Sequence, residues 1–335
     1  MFAGKMFGCL AVAALVAPVA AVGETPSLVP SRASLTIPYS LDGKRVPFWT
    51  GNSLVVEQSV LGVASPSVLV FDSSGTQVLS ATLTIPEAAQ TYVDGYARSA
   101  DGSIAACGAS YASDGRGAPF IALISADGNA ERVIRMEPYW PVLITVAPDG
   151  TLWTVGYEQN ANRSEKSGVN LNASVLRHFD RSGKPLGAFL PRSSFRNPVE
   201  LNRHHGYLLT SADRVGWFHW LNDGQGAYHE VSSAGEITSY PIPRLPSLKT
   251  DLMVDGVAMP DFGDVFVSMR DAGLHEGYFV FKLDRQLGQW SQTVLSGPRV
   301  AGDFAVLWGS SGSDLVFQLP SDFRTNTLRF FAPQR

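Results

Sequence analysis

Short runs of alternating apolar and polar residues follow one another along almost the whole chain, and no stretch holds a helical period of 3.6. Two recurring turns punctuate the runs. In the first, a glycine opens an apolar strand, as in Gly51-Asn-Ser-Leu, Asp101-Gly-Ser-Ile, Asp149-Gly-Thr-Leu, His205-Gly-Tyr-Leu, Phe262-Gly-Asp-Val and Ser311-Gly-Ser-Asp. These glycines fall at 51, 102, 150, 206, 263 and 312, at intervals of 51, 48, 56, 57 and 49. In the second, a strand runs into a tight turn, as in Asp72-Ser-Ser-Gly75, Asp127-Gly128, Asp180-Arg-Ser-Gly183, Ser232-Ser-Ala-Gly235 and Asp284-Arg-Gln-Leu-Gly288. An aspartate at the head of such a turn accepts bonds from the amides ahead of it, and glycine takes the positive φ the turn requires.

Each period therefore predicts four short strands, A to D, with the first turn joining A to B and the second joining C to D. A period near fifty residues with four strands per period predicts a six-bladed β-propeller. A long β-sandwich would not predict six near-equal intervals. The last unit, Thr327-Leu-Arg-Phe-Phe-Ala-Pro333, reads as a C strand with no D strand behind it. At the other end, Arg32-Ala-Ser-Leu-Thr-Ile-Pro38 nearly repeats Ser80-Ala-Thr-Leu-Thr-Ile-Pro86. Residues 32–38 are thus expected to supply the missing outer strand and close the ring.

Composition sharpens this picture. With 45% hydrophobic residues and a net charge of -4 over 335 residues, the chain can bury a core and lacks the concentrated positive field of a nucleic-acid surface. The first 23 residues pair Lys5 with an apolar run from Met6 to Val22, and small residues precede Glu24. That pattern predicts a secretory signal cleaved after Gly23, leaving 24–335 as one domain, secreted or periplasmic and without a membrane span. Of the two cysteines only Cys107 would then remain, so no internal disulfide is expected. No Cys/His spacing indicates zinc and no Gly-x-Ser-x-Gly elbow occurs.

Candidate chemistry is expected on the rim that carries the B–C loops and D–A crossovers, because the opposite rim holds only short regular turns. Trp140, Glu158, Trp217, His219 and Trp220 fall near that rim, where aromatic planes beside polar loops suit a carbohydrate, a peptide or a protein partner. The same aromatics would also serve as packing between blades, and both readings stand. A second set lies at the starts of the A strands. Asp94 and Asp255 each stand eight residues before a turn glycine; Val142 and Pro198 take that offset in blades three and four, Glu200 follows two residues after Pro198, and Asp303 lies near it in blade six. Carboxylates meeting at a channel mouth could hold Ca²⁺ or another divalent cation, or stay solvated.

The stretches Asp94-Gly-Tyr-Ala-Arg-Ser-Ala-Asp-Gly-Ser-Ile and Asp255-Gly-Val-Ala-Met-Pro-Asp-Phe-Gly-Asp-Val-Phe-Val resemble the core of NHL-repeat propellers. Together with Asn197-Pro-Val-Glu-Leu-Asn-Arg-His-His-Gly-Tyr-Leu-Leu they also resemble gluconolactonase-like, regucalcin-type propellers. The first resemblance implies a binding platform with no catalytic set. The second implies one divalent cation in the channel and hydrolysis of a lactone or ester, with Asp255 matching that family's late Asp-Gly step and Asn197 a candidate asparagine; Asp94 and Glu200 would join Asp255 as ligands by their places at the A-strand starts. That family opens on Glu-Gly-Pro, where this chain has Val46-Pro-Phe-Trp49. A binding module is the leading expectation and a metal-dependent hydrolase the alternative.

Overall fold

The computed structural model describes residues 27–37, 48–50, 53–57, 64–159, 168–196, 198, 201, 206–220, 226–243, 252–261, 263–271, 278–295, 306–319 and 326–334. The expected signal segment lies outside them. The described chain is mostly β-strand, with a 3-10 turn at Arg192–Ser194.

Two strands come first, β1 (Ser27–Pro30) and β2 (Leu35–Ile37), and the blades follow in order. Blade one is β3 (Phe48–Thr50), β4 (Ser53–Glu57), β5 (Ser67–Asp72) and β6 (Gln77–Thr82). Blade two is β7 (Gln90–Arg98), β8 (Ile104–Tyr111), β9 (Gly117–Ile124) and β10 (Ala130–Arg135). Blade three is β11 (Tyr139–Val146), β12 (Leu152–Glu158), β13 (Ser174–Phe179) and β14 (Pro185–Pro191). Blade four is β15 (Gly206–Thr210), β16 (Arg214–Trp220), β17 (Gly226–Ser232) and β18 (Ile237–Pro241). Blade five is β19 (Leu252–Ala258), β20 (Phe266–Asp271), β21 (Tyr278–Asp284) and β22 (Gln289–Leu295). Blade six has β23 (Val306–Ser311), β24 (Asp314–Leu319) and β25 (Asn326–Pro333). Within each blade neighbouring strands are antiparallel.

The cores show how these sheets are arranged. One apolar cluster joins blades one and two through Val55, Val70, Tyr96 and Phe120, and a second joins two and three through Cys107, Ile121, Tyr139 and Ile144. Trp153, Val175 and Trp217 join three and four; Phe218, Tyr228, Val257 and Phe281 join four and five. Phe266, Val280, Leu315 and Phe317 join five and six, and Trp49, Phe71, Trp308 and Phe330 join six back to one. Every blade is packed on two neighbours, so the ring closes as a six-bladed propeller. Each fully buried side chain in these seams contributes roughly 1.5–3 kcal/mol.

The ring is closed by an N-terminal outer strand, as the repeat of Leu-Thr-Ile-Pro implied, but that strand is split. β1 pairs with the end of β25 (Leu28 opposite Pro333), and β2 pairs with its start (Leu35 opposite Leu328). The expected 32–38 segment thus supplies only half of the outer strand, and Ser27–Pro30 supplies the rest. Between the halves Arg32 lies 3.7 Å over the Phe330 ring, donates to Ser311 at 2.7 Å and reaches Asp314 at 3.4 Å. β1 also pairs in parallel with β22, the outer strand of blade five.

The turn chemistry holds in detail. Asp72, Asp101, Asp149 and Asp180 each accept a backbone amide two residues ahead at 2.8–2.9 Å, and Gly75, Gly102, Gly150, Gly183, Gly263 and Gly312 all have positive φ. Blade four departs from the expectation. Gly206 opens its innermost strand and is not a turn glycine; the A–B turn is Ser211-Ala212-Asp213, closed by Ser211 N donating to Arg214 O at 2.9 Å. Gly206 is needed for a close approach, since a Cβ there would stand 2.9 Å from Phe218 O and 3.0 Å from Trp217 Nε1. The even interval at 206 was therefore a coincidence of two different glycine roles.

Candidate functional site

Strand direction places A-strand starts, B-strand ends and C-strand starts on one rim. Near that rim the innermost strands carry a β-bulge, which adds one residue and re-aims its side chain. The bulges fall at Asp94 in β7, Val142 in β11, Asp255 in β19 and Trp308 in β23. The eight-residue offset that singled out Asp94, Val142 and Asp255 was therefore reading a structural device. In blade four it does not apply, because it was counted from Gly206; Asn197, Glu200 and Asp303 lie outside the described residues.

The two aspartates stand in separate surroundings. Asp255 has a side chain only 10% exposed, its Oδ1 is 3.0 Å from Arg270 Nε, and its buried Oδ2 has no hydrogen-bond partner. Burial pushes its carboxyl up to about 6, against the pull of the Arg270 guanidinium. Asp94 lies instead among phenols. Burial and then the Asp94 charge raise both Tyr111 and Tyr157 above the usual tyrosine value. Among the described residues, no three His, Cys, Asp or Glu side chains converge on a point that could hold a metal ion.

Around Asp94 the rim gathers four half-buried aromatic rings from blades two and three. Tyr92 meets Tyr111 edge-on at 5.5 Å, and Trp140 stacks on Tyr157 at 6.3 Å with 16° between planes. Gly117 joins the two pairs: a Cβ there would lie 2.8 Å from Tyr111 Cε1 and 3.2 Å from Trp140 Cη2. Beneath them Arg192, 1% exposed, donates to Pro198 O and to Gly156 O (the latter at 3.4 Å), which ties the blade-three crossover to β12. Desolvation lowers that guanidinium to about 10.

Of the rim residues singled out from sequence, Trp140 belongs to this patch. Glu158, next to Tyr157, is held by an ion pair with Arg177 and by Asn170 Nδ2 at 3.0 Å. Trp217 and His219 are 2% and 5% exposed, packed in the seam between blades three and four under Phe195, as the packing alternative expects. Trp220 is half-buried and stacks on Tyr207 at 5.9 Å. Tyr92, Tyr111 and Gly117 escaped the sequence reading, although Tyr111 and Tyr157 recur near the ends of successive B strands, a signal that marks the rim.

His219 continues into a polar file inside blade four. Its Nε2 lies 3.1 Å from His229 Nε2, and His229 Nδ1 lies 2.7 Å from Ser239 Oγ. Burial lowers the two imidazoles to about 3 and about 4 respectively; the His229 ring adds to the effect on His219. No helix among the described residues is long and apolar enough to cross a membrane.

No family model and no curated protein matches this sequence. Similar solved structures include a hydrazine synthase chain of Kuenenia stuttgartiensis, at 14% identity and TM-score 0.44, with 86% of this chain and 96% of that chain covered. A luciferin-regenerating enzyme is similar at 12% identity and TM-score 0.48, with 90% and 95% covered. A gluconolactonase of Xanthomonas campestris is similar at 15% identity and TM-score 0.43, with 92% and 99% covered. At such values the likeness says nothing about which residues act in this chain.

Proposed function

We propose that this protein is an exported, monomeric propeller that binds a carbohydrate on the rim of blades two and three. The reading rests on one observation: Tyr92, Tyr111, Trp140 and Tyr157 form a continuous, partly exposed aromatic surface around Asp94. Flat rings cover the apolar C–H face of a sugar at low conformational cost, and a carboxylate accepts from its hydroxyls. Trp140 and Tyr157, nearly parallel, offer the broadest plane.

The test is titration of the purified protein with a panel of soluble neutral and acidic oligosaccharides, read by tryptophan fluorescence and calorimetry. At least one class should bind, and Trp140→Ala should weaken it about tenfold, equivalent to about 1.4 kcal/mol. Tyr111→Ala should do the same. Absence of binding across the panel, or equal binding by both variants, overturns the reading.

A further inference from the structure

Blade four carries a second arrangement, away from the aromatic rim. Ser239 is exposed on the outer strand β18, directly opposite His229 on β17, which is in turn opposite Trp217 on β16. The three side chains thus lie on one face of the blade, and Phe195 from the blade-three crossover packs edge-on against Trp217, His219 and His229. The hydroxyl meets His229 Nδ1 at 2.7 Å, and the other nitrogen of that ring meets His219 Nε2 at 3.1 Å. The imidazole planes are 8° apart. A nucleophile within hydrogen-bond reach of a base, with the base oriented by a third group, is the general signature of covalent catalysis.

We propose that Ser239, His229 and His219 form a nucleophilic relay that accepts acyl groups from small esters reaching the outer edge between blades three and four. The productive tautomer has a bare Nδ1 on His229, with His229 Nε2–H donating to His219 Nε2. Ser239 Oγ bonds to the ester carbonyl carbon as the carbonyl electron pair moves onto oxygen, and the serine proton passes to His229 Nδ1. Collapse breaks the bond to the leaving oxygen, which takes that proton and departs as an alcohol. Water then attacks the acyl-serine, gives its proton to His229, and Ser239 recovers it as the acid leaves. Both rings are neutral at neutral pH because burial opposes their charging, so the base is in its accepting form. The His229 ring adds to the shift of His219, and burial alone accounts for that of His229. His219 is a positioning residue: it fixes the ring of His229 and receives its Nε2 proton bond.

The test is labelling of the full-length protein with a fluorophosphonate, located by peptide mass spectrometry. One adduct is expected on Ser239, absent in Ser239→Ala, an exposed change that leaves the fold intact. His219→Phe should slow labelling at least tenfold. If that variant does not fold, the pH profile of the unchanged protein decides. A relay with its base already neutral gives a rate flat between pH 6 and 8, whereas an ordinary serine gives a rate rising with hydroxide. No adduct, an adduct elsewhere, or a hydroxide-dependent rate overturns the proposal.

Discussion

Leu28→Ala tests the ring closure directly. Leu28 is 0% exposed and belongs to the cluster with Ala258, Phe266, Val280, Leu307, Leu315, Phe317 and Phe331. Its backbone is held on both sides, by β25 and by β22. Three carbons removed at about 0.8 kcal/mol each give roughly 2.4 kcal/mol of lost transfer energy. The two flanking strands prevent collapse, so a cavity cost adds to this and places the total at about 3 to 4 kcal/mol, within the usual range for buried leucines. Urea denaturation followed by tryptophan fluorescence measures it. Leu186→Ala is the control, because Leu186 is 50% exposed on β14 and should change stability by no more than about 0.5 kcal/mol. A loss under about 1 kcal/mol at Leu28 would refute the idea that this segment locks the ring.

Three further outcomes follow from the packing and the charges. Glu230, 4% exposed, accepts from Tyr228 Oη at 2.9 Å and pairs with Arg214 at 3.2 Å and Arg285 at 2.6 Å, so Glu230→Gln should cost about 3 kcal/mol in urea denaturation, because it leaves the Arg285 guanidinium without a carboxylate while Arg214 keeps Asp213 at 2.5 Å. Acid should weaken the fold: His219 and His229 have folded values near 3 and 4, below the unfolded 6.5, so the unfolded state binds more protons and stability falls as pH drops below about 6.5, by roughly 1.4 kcal/mol per unit for each ring. Asp255, raised to about 6, works in the opposite sense between pH 6 and 3.8, which leaves a net loss of about 1.4 kcal/mol per unit there; urea midpoints measured from pH 7 to 4.5 would show it, and a flat profile would contradict the burial of the pair. Gly256→Ala would bring a Cβ to 1.8 Å from Leu307 O, forcing blades five and six apart, so a loss of at least about 3 kcal/mol or failure to accumulate soluble protein is expected from expression trials and thermal melts.

The blades were legible in the sequence because their turns are local chemistry. An aspartate that caps amides two residues ahead and a glycine at positive φ leave the same short string wherever they occur, as at Asp101-Gly102 and Asp149-Gly150. Blade four broke the reading because its turn uses Ser211 and Asp213 without a glycine, while a glycine required by the Trp217 indole stood nearby. The rim site was only half legible. A tryptophan beside a polar loop reads the same whether it faces solvent, as Trp140 partly does, or a neighbouring blade, as Trp217 does. Which face a strand turns outward depends on where the next sheet lies, and that is set by the ring and not by neighbours in sequence. The Ser239–His229–His219 file was invisible for the same reason, since cross-strand register alone brings its members together.

The divided outer strand has a consequence for how the molecule comes into being. Ser27 and Gln334 are bonded partners separated by 307 positions, and every pairing of β1 and β2 with β25 spans almost the whole chain. During synthesis β1 and β2 must wait for β25 before they find their place. Until then blade six lacks its edge and the parallel seam with blade five is missing. Contacts so distant in sequence form slowly, so closing the ring should be a late step, a clasp that snaps shut only once β25 has been made. A truncated product would carry five sound blades and an open ring, and quality-control proteases would meet it as an exposed sheet edge.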